Sequence, residues 1–303
     1  MRLLTRSDFD GLACGALLKQ LGVIDSWKFV HPKDMQDGLV EVTDRDVLAN
    51  VPYVEGCALW FDHHSSEADR IGFAKVPGAS RLEDSTARLI YDFYDGRDRI
   101  PQFEEMVQAV DKVDAAKLSV DEIMNPTGWV LLGFIMDPRT GLGRFQNFEI
   151  PNYELMEKLM NYCATKGIDE ILADSDVKER IDLYFEQSKA FKEMLEVRTR
   201  TEANIIITDL RGVSPICAGN RFLIYSLYPE QNISIWITDG RDKRNCAIAI
   251  GHSIISRTSS TDVGKLTLKF GGGGHRQVGT CQVPYAEADS VIEQIIAQIK
   301  ADG

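Results

Sequence analysis

The chain has 303 residues, which is enough for one large domain or two ordinary ones, each with a full core. It carries 34 Lys and Arg against 46 Asp and Glu, a formal net charge of −12 at pH 7. This acidity argues against binding to long duplex DNA or to an anionic membrane, because such binding neutralises many phosphates. A short phosphorylated ligand, held by a few local charges and a metal, remains compatible with it.

The sequence predicts a cytoplasmic protein. No run approaches the ~20 apolar residues that span a bilayer, and the first residues lack the apolar core of a signal peptide. The cysteines are scattered singly without a C-x-x-C pair, which favours reduced thiols over a disulfide framework or a zinc site. They are Cys14, Cys57, Cys163, Cys217, Cys246 and Cys281.

The first hundred or so residues alternate short apolar runs with helical patterns, which predicts a parallel sheet with helices on both faces. The predicted strands are MRLLT (1–5), SWKFVHP (26–32), GLVEVTD (38–44) and CALWFD (57–62). The predicted helices are GLACGALLKQLG (11–22), DSTARLIYDFY (84–94, capped by Asp84 or Ser85) and QFEEMVQAVDKVDAA (102–116).

The pattern changes in the second half of the chain. Residues 117–150 are less regular, with MDPRTGLGRF (136–145) as a loop, and residues 152–202 are mostly helical. β-rich runs follow at 204–210, 221–229, 233–240 and 245–251, and a final helix at 287–300. We therefore predict an α/β domain over residues 1–186, a connector helix over 187–202 and a smaller α/β domain over 203–303.

Acidic residues follow the predicted strands, at the edge where open α/β sheets bind ligands. Asp8 and Asp10 lie two residues apart in an extended segment, so that both carboxylates point the same way. An Asp-Gly turn with solvated acids is the alternative. Asp44 closes another predicted strand, where a helix cap would explain it equally well.

Asp62, His63 and His64 end the fourth predicted strand. Imidazole is a good ligand for manganese, iron or zinc, and carboxylates suit manganese. One histidine could therefore ligate a metal while the other meets a substrate phosphate. A pair of polar loop residues is the alternative, and the acids at neighbouring strand ends weigh against it.

Asp111 and Asp114 lie one turn apart on a predicted helix. An exposed acidic face is the alternative, but the neighbouring valines predict that at least one of the two aspartates points inward.

A glycine-rich stretch, KFGGGGHRQVGT, stands between an apolar run and a predicted strand. Successive glycines can expose backbone N–H groups as an anion-binding nest. His275 and Arg276 follow them directly and add donors for phosphate. A flexible loop is the alternative, although flexible linkers usually add serine.

Together these motifs resemble the DHH phosphoesterase family with its DHH-associated C-terminal domain, over nearly the whole chain. The matching motifs are SDFDG with Asp8 and Asp10, Asp44, the triplet Asp62-His63-His64, AVDKVD, and GGGGH. The resemblance implies two domains with the active site between them, and two manganese or similar ions that activate water against a phosphoester.

The resemblance also implies roles for individual residues. The implied metal ligands are Asp8, Asp10, Asp44 (bridging), His63 and Asp111, with Asp114 as the alternative to Asp111. Asp62, His63 and His64 form the implied catalytic triplet, with His64 near the scissile phosphate. The implied substrate-binding residues are Gly272, Gly273, Gly274, His275 and Arg276, with His252, Ser253 and Arg257 as further candidates.

One position departs from the family pattern. Members typically carry a histidine ligand four residues before the first aspartate, where this chain has Leu4. Leucine cannot coordinate a metal, which puts one of the two ions in question.

These features predict a metal-dependent phosphodiesterase for short oligoribonucleotides or a nucleotide bisphosphate. An exopolyphosphatase is one alternative, and a non-catalytic metal or nucleotide sensor is another. The predicted partners are a small phosphorylated substrate or short single-stranded RNA, without long duplex DNA or membrane, and a homodimer is left open.

Overall fold

The computed structural model of the protein describes residues 1–64, 67 and 77–303. The chain divides into an N-terminal unit, Met1–Leu118 with Asn125–Tyr184, and a C-terminal unit, Ser119–Met124 with Phe185–Gly303. Within these described ranges, no helix is both long and apolar enough to cross a membrane.

Five parallel strands form the sheet of the N-terminal unit, which confirms the predicted α/β fold. They are β1 (Arg2–Thr5), β2 (Ser26–Phe29), β3 (Asp46–Ala49), β4 (Leu59–Asp62) and β5 (Gly78–Ser80), in the spatial order β2-β1-β3-β4-β5. Each strand pairs in parallel with its neighbours, so the carboxyl ends of all five meet at one edge.

Helices surround this sheet. They are α1 (Phe9–Gln20), α2 (Pro32–Gln36), α3 (Thr86–Phe93), α4 (Gly96–Arg99) and α5 (Glu104–Asp114). The short helix α6 (Val120–Met124) belongs to the C-terminal unit, and α7 (Gly128–Met136), α8 (Asn152–Thr165) and α9 (Ile168–Leu172) follow. α10 (Ser175–Arg198) runs from the N-terminal unit into the C-terminal one. The apolar run of α7 lies in the stretch predicted to be less regular.

The core of the N-terminal unit contains buried side chains from both the strands and the helices. On one face of the sheet, Leu4 and Leu48 pack with Trp60 in a buried cluster. On α1, a Cβ added to Gly15 would lie 2.1 Å from the sulfur of Met160 in α8, so this glycine allows the two helices to approach closely.

A six-stranded sheet forms the C-terminal unit. Its strands are β6 (Thr199–Glu202), β7 (Ile205–Asp209), β8 (Ile233–Asp239), β9 (Asn245–His252), β10 (Gly273–His275) and β11 (Val278–Pro284), in the order β10-β11-β9-β8-β7-β6. All pairs are antiparallel except β7 with β8. Residues 199–202, predicted as the end of the connector helix, thus form an edge strand.

Isoleucines dominate the core of the C-terminal unit, where β7, β8 and β9 pack against the last helix, α13 (Ala288–Asp302). Two further short helices, α11 (Leu223–Leu227) and α12 (Val263–Leu268), complete the unit. The strand predicted over 221–229 is wrong, because the run contains helix α11. A short apolar run does not by itself distinguish a strand from a helix.

Candidate active site

The connection from β1 to α1 brings Asp8 and Asp10 to the carboxyl edge of the parallel sheet. Asp8 is the N-cap of α1 and accepts a hydrogen bond from Gly11 N at 3.0 Å. Gly11 is needed there, since a Cβ on it would lie 2.0 Å from the carbonyl oxygen of Arg6. Asp10 lies in the first turn of α1 and is 2% exposed.

Asp10 connects α1 to the start of α3. Its carboxylate accepts hydrogen bonds from Thr86 N at 3.0 Å and from Ala87 N at 2.8 Å. A carboxylate is stabilised at this end of a helix by the unpaired N–H groups and the helix dipole. The side chain is therefore held in one orientation.

His63 follows β4 and points one ring nitrogen at the acids. Nδ1 lies 3.1 Å from the carbonyl oxygen of Glu83, which can only accept, so Nδ1 carries a proton. Nε2 is buried, 3.1 Å from Asp114 Oδ2 and 4.0 Å from Asp10 Oδ2. In the described part of the chain, Nε2 finds no partner with hydrogen-bond geometry.

Asp10, His63 and Asp114 fit a divalent metal ion. One ligand atom from each lies within 4.8 Å of the others, and two carboxylates with an imidazole are a donor set for such ions. The hydrogen bond from Nδ1 to the Glu83 carbonyl fixes the ring and leaves Nε2 of the neutral ring as a ligand.

Burial and mutual charge shift the pKa values of this cluster. Burial, with the nearby charge of Asp114, raises the pKa of Asp10 to about 7. Burial lowers the pKa of His63, but the nearby carboxylate of Asp114 and the charge of Asp10 outweigh it and raise the value to about 10. In the absence of an ion, the proton on His63 thus offsets the negative charge that a cation would otherwise neutralise.

Asp62 and His64 form a second pair beside this cluster. Asp62 is 1% exposed at the end of β4, and its Oδ1 lies 2.9 Å from Nδ1 of the half-exposed His64. Burial lowers the pKa of His64, but the bond to Asp62 outweighs it and the net pKa is raised. The rings of His63 and His64 have centroids 4.4 Å apart, so the two pairs share one site.

The prediction that Asp44 closes a strand is wrong. β3 starts at Asp46, so the exposed Asp44 precedes the strand, at the amino edge of the sheet and away from Asp10. Asn50 occupies the carboxyl end of β3 instead, and its Nδ2 donates to Asp8 Oδ1 at 2.9 Å. A neutral amide therefore stands where a bridging carboxylate was expected.

Asp111 is also not placed to act as the ligand. Its carboxylate accepts hydrogen bonds from Ser85 Oγ at 2.6 Å and from Arg88 Nε at 2.9 Å. Asp114, one turn further along α5, is the member of the pair that reaches His63. Asp111 instead ties α5 to the start of α3.

Leu4 lies wholly in the hydrophobic core. It is 0% exposed and packs with Leu48 and Trp60 in an apolar cluster. With Leu4 and Asn50, two positions where a metal ligand was expected thus carry a side chain that offers no metal-binding charge.

The sequence reasoning missed Asp137 and Arg139, which lie in the stretch interpreted only as a loop. They flank Pro138 in a short 3-10 turn after α7. Both line a recess that also contains the acidic cluster; its lining residues are Asp8, Phe9, Asp10, Val110, Val113, Asp114, Gly133, Asp137 and Arg139. The Asp-Pro pair was a turn signal, but nothing local to it indicates a neighbouring site.

The glycine motif forms β10 and its approach in the C-terminal unit. A Cβ on Gly272 would lie 2.1 Å from the Thr280 carbonyl oxygen, and one on Gly274 would lie 2.2 Å from that of Val278. Gly273 has open space around its Cβ position. Two of these glycines are therefore required for the β10–β11 pairing, whatever they bind.

The other predicted substrate-binding residues lie around this hairpin. His275 Nδ1 accepts from Gln277 N at 3.3 Å, and His252 Nε2 lies 2.8 Å from the Thr261 carbonyl oxygen. Burial lowers the pKa of His252, and the charges of Arg276 and His275 lower it further, so these three side chains share one region.

Arg257 lies in the turn that follows β9. Its Nε donates to the Ile254 carbonyl oxygen at 3.0 Å. Ser253 caps this turn by accepting from Ser256 N at 3.0 Å. Both residues thus have structural partners, and their contact with a substrate stays a prediction.

No protein-family model and no curated protein matches the sequence. Among solved structures, the chain is similar to PggH from Vibrio cholerae, a pGpG-specific phosphodiesterase, with 46% identity and a TM-score of 0.90 over 100% of this chain and 99% of that chain. The DHH domain of a protein described as a member of a ribosomal protein family shares the fold at 11% identity and a TM-score of 0.55, over 98% of this chain and 86% of that chain. RecJ from Thermus thermophilus in complex with Mn²⁺ shares it at 13% identity and a TM-score of 0.52, over 99% of this chain and 52% of that chain.

A parallel sheet with a buried carboxylate–histidine cluster at its carboxyl edge is the framework of a metal-dependent hydrolase. The chain belongs to the DHH family of phosphoesterases, as the full-length similarity at 46% identity shows. The predicted family and the predicted class of enzyme are thereby confirmed.

Proposed function

We propose that this protein is a phosphodiesterase that depends on a divalent ion and hydrolyses short linear 5′-phosphorylated dinucleotides of the pGpG type. The observation that carries the proposal is the Asp10–His63–Asp114 donor set, whose imidazole Nε2 is buried without a hydrogen bond in the described structure. Full-length similarity to a pGpG-specific phosphodiesterase supports the substrate class.

The three side chains of this donor set would hold the ion. When bound there, a divalent ion supplies Lewis-acid polarisation of a phosphoryl oxygen and acidifies water. Manganese or magnesium would suit the oxygen-rich set, and the imidazole favours manganese. The ligands left near Asp8 support one firmly held ion rather than two, because Asn50 offers no metal-binding charge there and the buried Leu4 is not a ligand.

His64 would address the scissile phosphate. Asp62 holds Nδ1, which leaves Nε2 as the ring nitrogen for a phosphate oxygen. The buried carboxylate fixes the tautomer and orientation of the ring, in the manner of an acid that orients a catalytic histidine. The pair acts at the phosphate without becoming a covalent intermediate.

The region around the β10–β11 hairpin would bind a phosphate group of the substrate. Arg276 supplies a cationic donor and His275 an imidazole, which supports an anion-binding region around the β10–β11 hairpin. A terminal phosphate is one of the groups that such donors recognise.

The test is hydrolysis of a substrate panel by the purified protein with Mn²⁺, with Mg²⁺ and with EDTA. The panel contains pGpG, GpG, pApA, RNAs of three to five nucleotides, a nucleotide bisphosphate and inorganic polyphosphate. We expect metal-dependent cleavage of pGpG that exceeds cleavage of the longer RNAs. Turnover of polyphosphate alone would contradict the proposal, and so would binding of a dinucleotide without turnover of any substrate.

Matched variants identify the metal site. Asp10→Asn and Asp114→Asn should each lower kcat/KM by more than ~100-fold and reduce the bound metal, since even groups behind a ligand cost 10–100-fold. Asp44→Asn is the isosteric control at the opposite edge of the sheet and should behave like the wild type. A large loss in Asp44→Asn with little loss in Asp114→Asn would reverse this assignment.

A further inference from the structure

One arginine stands among the carboxylates of the recess. Arg139 lies in the 3-10 turn Pro138–Thr140, and it lines the recess together with Asp10 and Asp114. Its positive charge acts on both Asp8 and Asp114. Arg139 therefore lies near both the metal-binding group and Asp8.

Hydrogen bonds to Asp137 within this turn hold the backbone N–H and the Nε of Arg139. Asp137 is 8% exposed, and its Oδ1 accepts from Arg139 N at 2.8 Å and from Arg139 Nε at 2.7 Å. Thr140 Oγ1 donates to the Asp137 carbonyl oxygen at 2.8 Å, which closes the turn. The guanidinium plane is thus oriented by a buried carboxylate and by the backbone.

The two terminal nitrogens of the Arg139 guanidinium are available to a ligand. Across residues 1–64, 67 and 77–303, Nη1 and Nη2 of Arg139 make no hydrogen bond, and the side chain is 48% exposed. Two parallel N–H donors of this kind match two oxygens of a phosphate group. By contrast, the exposed Arg144 on the same loop does not line the recess.

The negative charge of the recess makes a positively charged donor necessary for binding a phosphodiester. A phosphodiester that approaches the recess faces four carboxylates, Asp8, Asp10, Asp114 and Asp137, and repulsion between like charges opposes its approach. A single divalent ion offsets only part of this charge. Asp8 cannot readily hold another ion, because its oxygens already engage Gly11 N, Asn50 Nδ2 and Arg6 Nε.

We propose that Arg139 is a catalytic residue whose Nη1 and Nη2 bind the non-bridging oxygens of the scissile phosphodiester and stabilise their charge, in a site where Asn50 rather than a carboxylate stands beside Asp8. The assignment rests on the proposed phosphodiesterase function. Arg139 keeps its proton throughout and forms no covalent bond, so its contribution is electrostatic.

Kinetics on two substrates test this role. Arg139→Ala should lower kcat about 10²–10³-fold on both pGpG and GpG, the usual effect of removing one charge-stabilising donor. Added guanidinium should restore part of the activity, and Arg139→Lys should fall between the wild type and Arg139→Ala. Arg144→Ala is the control on the same loop and should match the wild type. A loss confined to pGpG would overturn the proposal, because Arg139 would then bind the 5′ phosphate.

Binding and metal content separate this role from a structural one. The wild type should prefer a charged, uncleavable methylenephosphonate-linked GpG to its uncharged methylphosphonate analogue, and Arg139→Ala should lose this preference with unchanged bound metal. Loss of the metal in Arg139→Ala, or an unchanged preference, would refute the proposal. Because neither analogue is cleaved, this measurement decides the role of Arg139 even if the wild type fails to hydrolyse pGpG and the proposed function falls.

Discussion

Asn50→Asp tests the interpretation of the Asp8 side of the site. The Nδ2 of Asn50 donates to Asp8 Oδ1 at 2.9 Å, and Asn50 is 3% exposed. Its backbone has φ of 57°, a left-handed conformation that both asparagine and aspartate adopt more readily than most residues do. The substitution therefore changes charge and hydrogen bonding while it leaves the backbone preference intact.

Two effects set the loss in the free energy of unfolding that Asn50→Asp should cause. Replacing a donor to a charged group loses about 1.5–3 kcal/mol. Two carboxylates about 4 Å apart repel by about 4 kcal/mol at an effective dielectric constant near 20, unless they share a proton. We expect the free energy of unfolding in EDTA to fall by about 2–5 kcal/mol at pH 7, since both effects are partly relieved by relaxation and proton uptake.

The sign of the pH dependence is fixed by the shared proton. It raises the folded-state pKa of the carboxyl pair above the unfolded value of about 3.9. The destabilisation should therefore vanish near pH 4 and grow as the pH rises through the folded-state pKa. Mn²⁺ should reverse it at pH 7, because a cation between the two carboxylates replaces the proton and stabilises the folded state by mass action.

Urea denaturation at pH 4, 5.5 and 7, with EDTA or Mn²⁺, measures these effects. The double variant Asp8→Asn with Asn50→Asp is the control, since it restores one carboxylate and one amide with exchanged positions. It should recover most of the stability in EDTA. Equal destabilisation at every pH, with no recovery by Mn²⁺ or by the exchange, would refute the charge argument.

Three further predictions concern neighbouring groups. Asp62→Asn should lower the pKa of His64, because it removes the carboxylate that raises it; an unchanged imidazole titration by NMR would contradict this. Leu4→Ala should cost about 2–5 kcal/mol of stability as a core truncation, with unchanged bound metal; loss of metal would place Leu4 at the site instead. Metal affinity should rise with pH, because His63 has a pKa raised to about 10 in the metal-free protein and must lose its proton to bind the ion. Calorimetry in two buffers with different heats of ionisation should show that metal binding releases a proton. A pH-independent affinity would exclude His63 as a ligand.

The sequence by itself was sufficient for the family, the fold class and part of the site. Asp8, Asp10 and His63 could be placed together because a run of apolar residues ended just before each polar motif, and parallel strands end at a common edge. These are local patterns, and burial of short apolar strands is enough to produce them. The predicted parallel sheet and the location of Asp10 and His63 at its carboxyl edge agree with the structure for this reason, although Asp10 lies in the first turn of α1 and not in the extended segment that was predicted.

Only the tertiary structure decided which acids share the cluster. Val40 and Val42 pack against the core without forming a strand, so the apolar alternation before Asp44 was real burial but a misleading sign of sheet. Pairing of Asp46–Ala49 between β1 and β4 sets the register, and this brings Asn50 to the site.

The choice between Asp111 and Asp114 was likewise not local. Both lie on one helix a single turn apart, and burial of Val107 and Val110 fixes the rotation of that helix. Arg88, from a different helix, then forms an ion pair with Asp111, while Asp114 lies next to His63. Arg139 reaches the recess from a loop 25 residues beyond Asp114, because packing of α7 against α5 carries the turn there. Sequence patterns report the burial of each segment, whereas the partners of a charged side chain depend on segments distant in the chain.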